Sequence, residues 1–262
     1  MTAPTPDRAV AAYQSTVSLL RSRILHLSRQ SWDTLGSYRD SDIDRLIALL
    51  VPRVQAAQLQ IANLTSNYLV SLLTAEGIEA EPAPVDRDEI LQARGVPAGQ
   101  VYRRPAIEVY SALAEGKTVT AAIAAGRTRL MSLVSTDLQM AKVRQSRSSL
   151  ARSRAKYFRR VLKGSENCAK CIITSTRRYT KSSLLPIHPG CDCDVAPIRE
   201  SDPPLALDRK LLDATHEQVQ AFADIENAAA EGYQDLIVEH EHGEIGPVLG
   251  WRHQKFTGPA DI

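Results

Sequence analysis

The chain has 262 residues, of which 44% are hydrophobic, 5% aromatic and 24% charged. That supplies a core for one or two helix-rich domains packed mainly by Leu, Ile, Val and Ala, and no run of 18 apolar residues marks a membrane span. The net charge of +2 conceals opposed blocks: 13 basic residues against Glu166 alone between Lys142 and Lys181, a local charge of +12 that leaves −10 for the remainder. Residues 200–250 hold 12 acids against Arg209 and Lys210. Such segregation points to two surfaces with different partners, or to two segments that meet each other. The opening MTAPTPDRAVAAYQS lacks the basic-then-apolar order of a secretory signal. The expectation is a chain kept in a reducing compartment, where paired cysteines point to metal or redox chemistry before disulfides.

Residues 1–80 read as a helical hairpin. Val10, Tyr13, Val17, Leu20, Ile24 and Leu27 recur at steps of three and four, predicting a long amphipathic helix over 7–33. Gly36 and Ser37–Asp42 break it, and Asp40 or Ser41 is placed to cap a second helix. That helix repeats the seam with Ile43, Ile47, Leu50, Val54, Ala57, Ile61, Leu64 and Tyr68, and Pro52 is expected to kink or split it. The seams read as core packing, with an oligomer or docking seam as the sharper alternative.

Residues 81–104 read as a linker, EPAPVDRDE, with a short helix over 86–95 ended by Pro97 and Gly99. The unit 105–200 begins with a helix over Pro105–Glu115 closed by Gly116. Thr118 or Thr120 then caps a long helix to about Lys142, with Ile123, Leu130, Leu133, Val134 and Leu138 on one side. A basic helix is expected over Ser148–Lys163, stopped by Gly164, and short strands within Ile172–Leu185. In the last unit, 201–262, Pro203 and Pro204 precede a helix over 206–238 carrying Leu207, Leu211, Leu212, Val219, Phe222 and Ile225. From His240 onward the Gly- and Pro-rich chain has no period and reads as a loosely ordered arm, with His240 and His242 exposed. The fold class is mainly α, with a long N-terminal helical hairpin and a small α+β zinc-knuckle module.

All four cysteines lie between Cys168 and Cys193: NCAKC, 16 residues, then HPGCDC. Zinc takes four thiolate or imidazole ligands in a tetrahedron, and Cys-x-x-Cys offers two from one turn. Lys170, inside that turn, can offset thiolate charge. Pro189 and Gly190 suit a second turn presenting His188 and Cys191. Cys193 lies two residues further on, and extended alternation would turn it to the opposite face. Five side chains, Cys168, Cys171, His188, Cys191 and Cys193, therefore compete for four positions on one structural Zn2+. The preferred set is Cys168, Cys171, His188 and Cys191. Residues 165–200 are polar, and a metal cross-link would supply stability that their small core cannot. Glu166, Asp192 and Asp194 form no catalytic spacing with the cysteines, which favours a closed site over a catalytic one.

The Cys-x-x-Cys, basic middle and HPGCDC followed by Val195, Ala196 and Pro197 resemble the closing segment of the Mu F-like minor head protein family of tailed phages. The likeness covers about residues 105–198, its motif only 168–197. It implies a virion protein, assembled in the host cytoplasm and placed at the portal vertex or capsid interior in several copies. Its partners would be the portal and major capsid proteins and packaged double-stranded DNA. Asp192 stands where relatives often carry a basic or polar residue, which takes DNA contact away from that turn.

Phosphate contact is instead expected from Lys142, Arg144, Arg147, Arg152, Arg154, Lys156, Arg159, Arg160 and Lys163, extended by Arg177, Arg178 and Lys181. The bland alternatives are a solvated face or pairing with the acids of 200–250. No Walker, GxSxG or HExxH pattern appears, so a structural protein is expected before an enzyme. A zinc-stabilised DNA-binding regulator is the runner-up, and a metal-dependent nuclease or toxin a third class.

Overall fold

Apolar residues at helical spacing build α1 (Pro6–Asp33) and α2 (Asp40–Ala75), which pack as the expected hairpin. This computed structural model describes residues 6–163, 167–185, 191, 193–202, 215, 219 and 235–255. Tyr13 and Tyr68, one from each seam, stack with ring centroids 4.1 Å apart, and the Tyr13 hydroxyl is 2.7 Å from Thr65 Oγ1. Pro52 does not split α2. It removes the N–H that Ala48 O would accept, but both residues are exposed, so water can satisfy the carbonyl. The cap also differs from expectation: Arg39 occupies the N-cap position, and the Ser37 hydroxyl donates to Asp42 in the first turn.

Short helices follow, α3 (Arg87–Leu91), α4 (Ala98–Val101) and α5 (Arg104–Ala114). Asp86 caps α3 by accepting the N–H groups of Asp88 and Glu89 at 3.0 Å. Helix α6 (Val119–Arg152) is capped by Thr118, whose Oγ1 accepts from Ala121 N at 3.2 Å. It runs ten residues past Lys142, because nothing between Lys142 and Arg152 breaks a helix. At Gly126, α6 meets α1 and α5. A Cβ there would lie 2.6 Å from both Trp32 Cζ2 and Val109 Cγ2, and 2.7 Å from Pro105 O. Only a bare Cα permits this three-way approach, and it lets Trp32 bury completely while its Nε1 donates to Ile123 O.

The expected basic helix over Ser148–Lys163 is instead the end of α6 and a strand, β1 (Tyr157–Val161). β1 pairs antiparallel with β2 (Asp194–Ile198), burying Phe158 and Arg160 on one face. Tyr157, Phe158 and Val161 are strand formers, and five residues fit two strand periods as well as one helical turn. The backbone of Phe158 bonds on its other side to Tyr179, at 2.9 and 2.8 Å. The facing position on β2 therefore needs no donor, and Pro197 sits there without loss. The start of the expected strand region 172–185 belongs instead to helix α7 (Ala169–Ser175), and Tyr179 makes only an isolated bridge.

The expected C-terminal arm is also corrected. β3 (Ile237–His242) and β4 (Gly246–Trp251) form an antiparallel hairpin, with Gly246 at φ +79 after the turn. The glycines read as looseness are turn chemistry. Of the helix expected over 206–238, Ile237 and Val238 belong to β3. Most of the rest lies outside the described residues, though Thr215 and Val219 are buried. The apolar core runs continuously from Tyr13 to Trp251. The fold is thus mainly helical with a small α+β module, and among the described residues no helix is long and apolar enough to cross a membrane.

The hairpin is fastened by charge. Glu244, in its turn, meets Arg94 at 2.8 Å, Arg104 at 2.9 Å and Arg129 of α6. Arg94 also binds Asp137 at 2.6 Å, and the Tyr102 hydroxyl donates to Asp137 at 2.9 Å. His242 is buried rather than exposed and accepts the Glu244 N–H at Nδ1. His240 is half-buried, its Nε2 2.7 Å from Trp251 O. Burial pushes the Glu244 carboxyl up, but Arg129, Arg94 and Arg104 more than offset this and hold it below the usual glutamate value.

Two measurements test this packing. Gly126→Ala should destabilise by about 1–3 kcal/mol in chemical denaturation, overpacking outweighing the helix-propensity gain, while Gly36→Ala, with nothing within 4 Å, should leave stability nearly unchanged. Glu244→Gln should lose about 1–3 kcal/mol at pH 7, the scale of hydrogen bonds to charged groups. Because the native carboxyl titrates lower than the unfolded one, that contribution is complete above about pH 4.3 and lost as pH falls through the native value. Stability curves of the two proteins should therefore converge in acid.

Candidate metal centre

Two short segments bring the cysteines together. Cys168 is the N-cap of α7, its thiol accepting the Cys171 N–H at 3.4 Å, so the Cys-x-x-Cys turn is the first turn of a helix. Cys191 and Cys193 lie just before β2, which the β1 pairing holds against α7. The sulfurs of Cys171, Cys191 and Cys193 are buried and mutually within 4.8 Å. Consecutive separations of Cys168–Cys171, Cys171–Cys191 and Cys191–Cys193 are each 3.2 Å. None of the four cysteines is in a disulfide, which needs about 2.05 Å between sulfurs. An ion about 2.3 Å from each sulfur would set tetrahedral neighbours about 3.8 Å apart, so the three buried sulfurs need only a small expansion, while Cys168, close to Cys171 alone, would have to move inward to join them.

Cys193, one of the five candidates though outside the preferred set, lies with Cys171 and Cys191. Its thiol lies in the group, not behind it, because strand alternation does not hold ahead of Asp194, where β2 begins. His188 lies outside the described residues, as do Pro189, Gly190, Asp192 and Glu166. Three buried cysteines thus lie close enough to bind one metal ion, with Cys168 beside Cys171 as a fourth donor.

Charge around the cluster is arranged for anionic sulfur. Arg160, inward on β1, places Nη1 3.6 Å from Cys193 Sγ, donates to Leu185 O, and lies 5.0 Å over the Tyr179 ring. Lys142 reaches Cys193 O and Asp194 Oδ1, each at 2.9 Å. The Cys193 thiol is held well below its usual value by hydrogen bonds from Cys171 and Cys191, against burial, with help from Arg160 and Lys142. Cys171 is pushed up by its hydrogen bonds to Cys168, Cys191 and Cys193, and by burial. At Cys191 the bond to Cys171 pulls down, but Cys193 and burial win and raise it. A divalent ion on four thiolates carries two net negative charges. With Lys142 paired to Asp194, Arg160 bonds the group at Cys193, and Lys170, held below the usual lysine value by burial, is favoured as a cation by the Cys168, Cys171 and Cys191 sulfurs.

The basic residues divide into two groups. Lys142 and Arg160 are buried, and Arg144 donates to Glu89 O and Ala93 O, so these three are removed from the expected phosphate-contacting set. Lys163 is half-buried, its N–H on Asn167, and Arg177 donates to Ile237 O. Arg147, Arg152, Arg154 and Lys156 are exposed and Arg159 is half-exposed. Among the described residues none of the five has a hydrogen bond or ion pair. Lys181 donates to Ala151 O and Ser153 O at the end of α6, and Arg178 to Glu200 O and Asp202 O while lying over Tyr157. Among the described residues, no acid of 200–250 pairs with a side chain of 142–163; Glu244 turns to Arg94, Arg104 and Arg129 instead. That arginine network was missed in sequence, where each member is an isolated charge with no local pattern.

No family model, curated protein or solved structure matches the chain.

Cys171 touches both Cys168 and Cys191, so Cys171→Ser should remove the bound metal measured by elemental analysis and abolish any rise in melting temperature on metal addition. Unchanged metal content would refute the ligand assignment.

Proposed function

We propose that the chain is a minor head protein of a tailed phage, of the Mu F-like family, with a structural role and no reaction centre. It sits at the portal vertex or capsid interior in several copies, against portal and major capsid proteins, and touches packaged duplex DNA without sequence readout. The observation that carries this reading is the convergence of Cys171 of NCAKC with Cys191 and Cys193 of HPGCDC, Cys168 lying beside Cys171, directly ahead of Val195-Ala196-Pro197, the segment on which the resemblance rests. The ion is zinc: buried thiolates are soft donors, and a sulfur-only group suits a structural Zn2+. Asp194 is tied to Lys142, so it is not disposed as a base beside a catalytic metal.

The DNA-contacting face is Arg147, Arg152, Arg154, Lys156 and Arg159, with Lys181 and Arg178 beside them. Arg159 and Arg160 alternate on β1, one outward and one on Cys193, so the metal centre and the basic face share a strand.

A protein inventory of purified virions tests the assignment. The chain should be present at more than one copy per particle; its absence would overturn the reading. In duplex binding, log affinity against log salt should fall with a slope of about 4–5, at about 0.9 per phosphate contacted by the five cations. A flat response would remove the DNA contact. A preference for one sequence beyond about 10³ would favour a regulator instead.

A further inference from the structure

We propose that the groove between α1 and α6 is a second phosphodiester-binding site, rigidly aligned with the basic face at β1. The groove has a volume of about 430 Å³, and its lining includes Ser18, Arg21, Ser22, His26, Arg29 and Met131. The α1 residues recur at helical spacing over Ser18–Arg29, about 16 Å of axis.

Its walls are free of competing charge. α1 has no acid between Asp7 and Asp33, yet carries Arg8, Arg21, Arg23, His26 and Arg29. α6 has a single acid, Asp137, which is committed to Arg94 and Tyr102. Arg21 is held in place by a 2.5 Å bond to Ser135 Oγ of α6. Arg23, His26 and Arg29 are exposed, and among the described residues they have no hydrogen bond or ion pair. Guanidinium forks match phosphate oxygens, and Ser18 and Ser22 add neutral donors that contact phosphate without reading a base.

The occupant is a long, stiff polyanion more readily than a short acidic peptide. Gln14 Nε2 donates to Leu162 O, just beyond the strand that carries Arg159. α1 therefore leads from the β1 end to Arg29 over about 22 Å, the span of several duplex phosphates. The inference rests on the DNA contact proposed above and adds a site to it.

Binding of a random 20-base-pair duplex is titrated at several salt concentrations with two double variants, each checked for an unchanged unfolding curve. Arg21→Gln/Arg29→Gln removes the two guanidinium groups that line the groove. It should lower the salt slope by about two and weaken affinity uniformly across sequences. Arg147→Gln/Arg152→Gln should do the same independently. A slope unchanged by the α1 variant and reduced by the other overturns the groove while leaving the β1 face. The reverse result supports the groove and removes that face, and no binding by the parent protein overturns both. If the α1 variant keeps its duplex slope but loses affinity for a polyglutamate peptide, the groove belongs to an acidic protein segment and the inference falls.

Discussion

The buried pair between Lys142 and Asp194 fixes the rest of the α+β module. Both side chains are almost wholly excluded from water, at 7% and 3% exposure, and the ammonium also binds Cys193 O. Removing two charges from water costs several kcal/mol, so such a pair persists only with additional hydrogen bonds and close geometry. Here that geometry ties the middle of α6 to the first residue of β2. Register with β1 then places Arg160 on Cys193 and Phe158 against Tyr179. Helical body and cysteine group are thus one mechanical unit, joined at a point where misplacement would leave a charge buried and unpaired.

The same constraint decides which cations face outward. Lys142 and Arg160 are used to stabilise Asp194 and the thiol group, and Arg144 to hold the α3 segment. What remains at the surface lies at the end of α6 and along the outer side of β1. A segment that reads as one basic block is therefore two populations with opposite tasks, distinguished by one step of strand alternation between Arg159 and Arg160.

Where the sequence pattern was local, it was legible. The seams of α1 and α2, the Thr118 cap and the clustering of cysteines follow from spacing alone. β1 was misread because Tyr157, Phe158, Val161 and Leu162 satisfy a helical face over so short a run as well as a strand. Cys193 was misplaced because alternation was extended ahead of the residue where β2 begins. Gly126 and Glu244 carry no local signal: one matters because three helices converge on it, the other because three distant arginines do.

The cysteine group also explains why so polar a segment orders at all. Residues 167–185 contribute few large apolar side chains to the core, chiefly Ile172, Ile173, Tyr179 and Leu184. Without a cross-link, backbone entropy of about 1–2 kcal/mol per residue exceeds what that burial returns. Thiols from two segments 20 residues apart, closed on one ion as proposed above, would remove much of that cost by restricting the unfolded chain and adding binding energy directly. α7, anchored by Cys168 and Cys171, then holds the C-terminal hairpin through Lys170 on Gln254, and Arg177 just beyond it through Ile237 O. The hairpin in turn closes on the helical body through Glu244. Order spreads outward from the cysteines through successive polar contacts, and this is how a core-poor module can present a rigid basic surface.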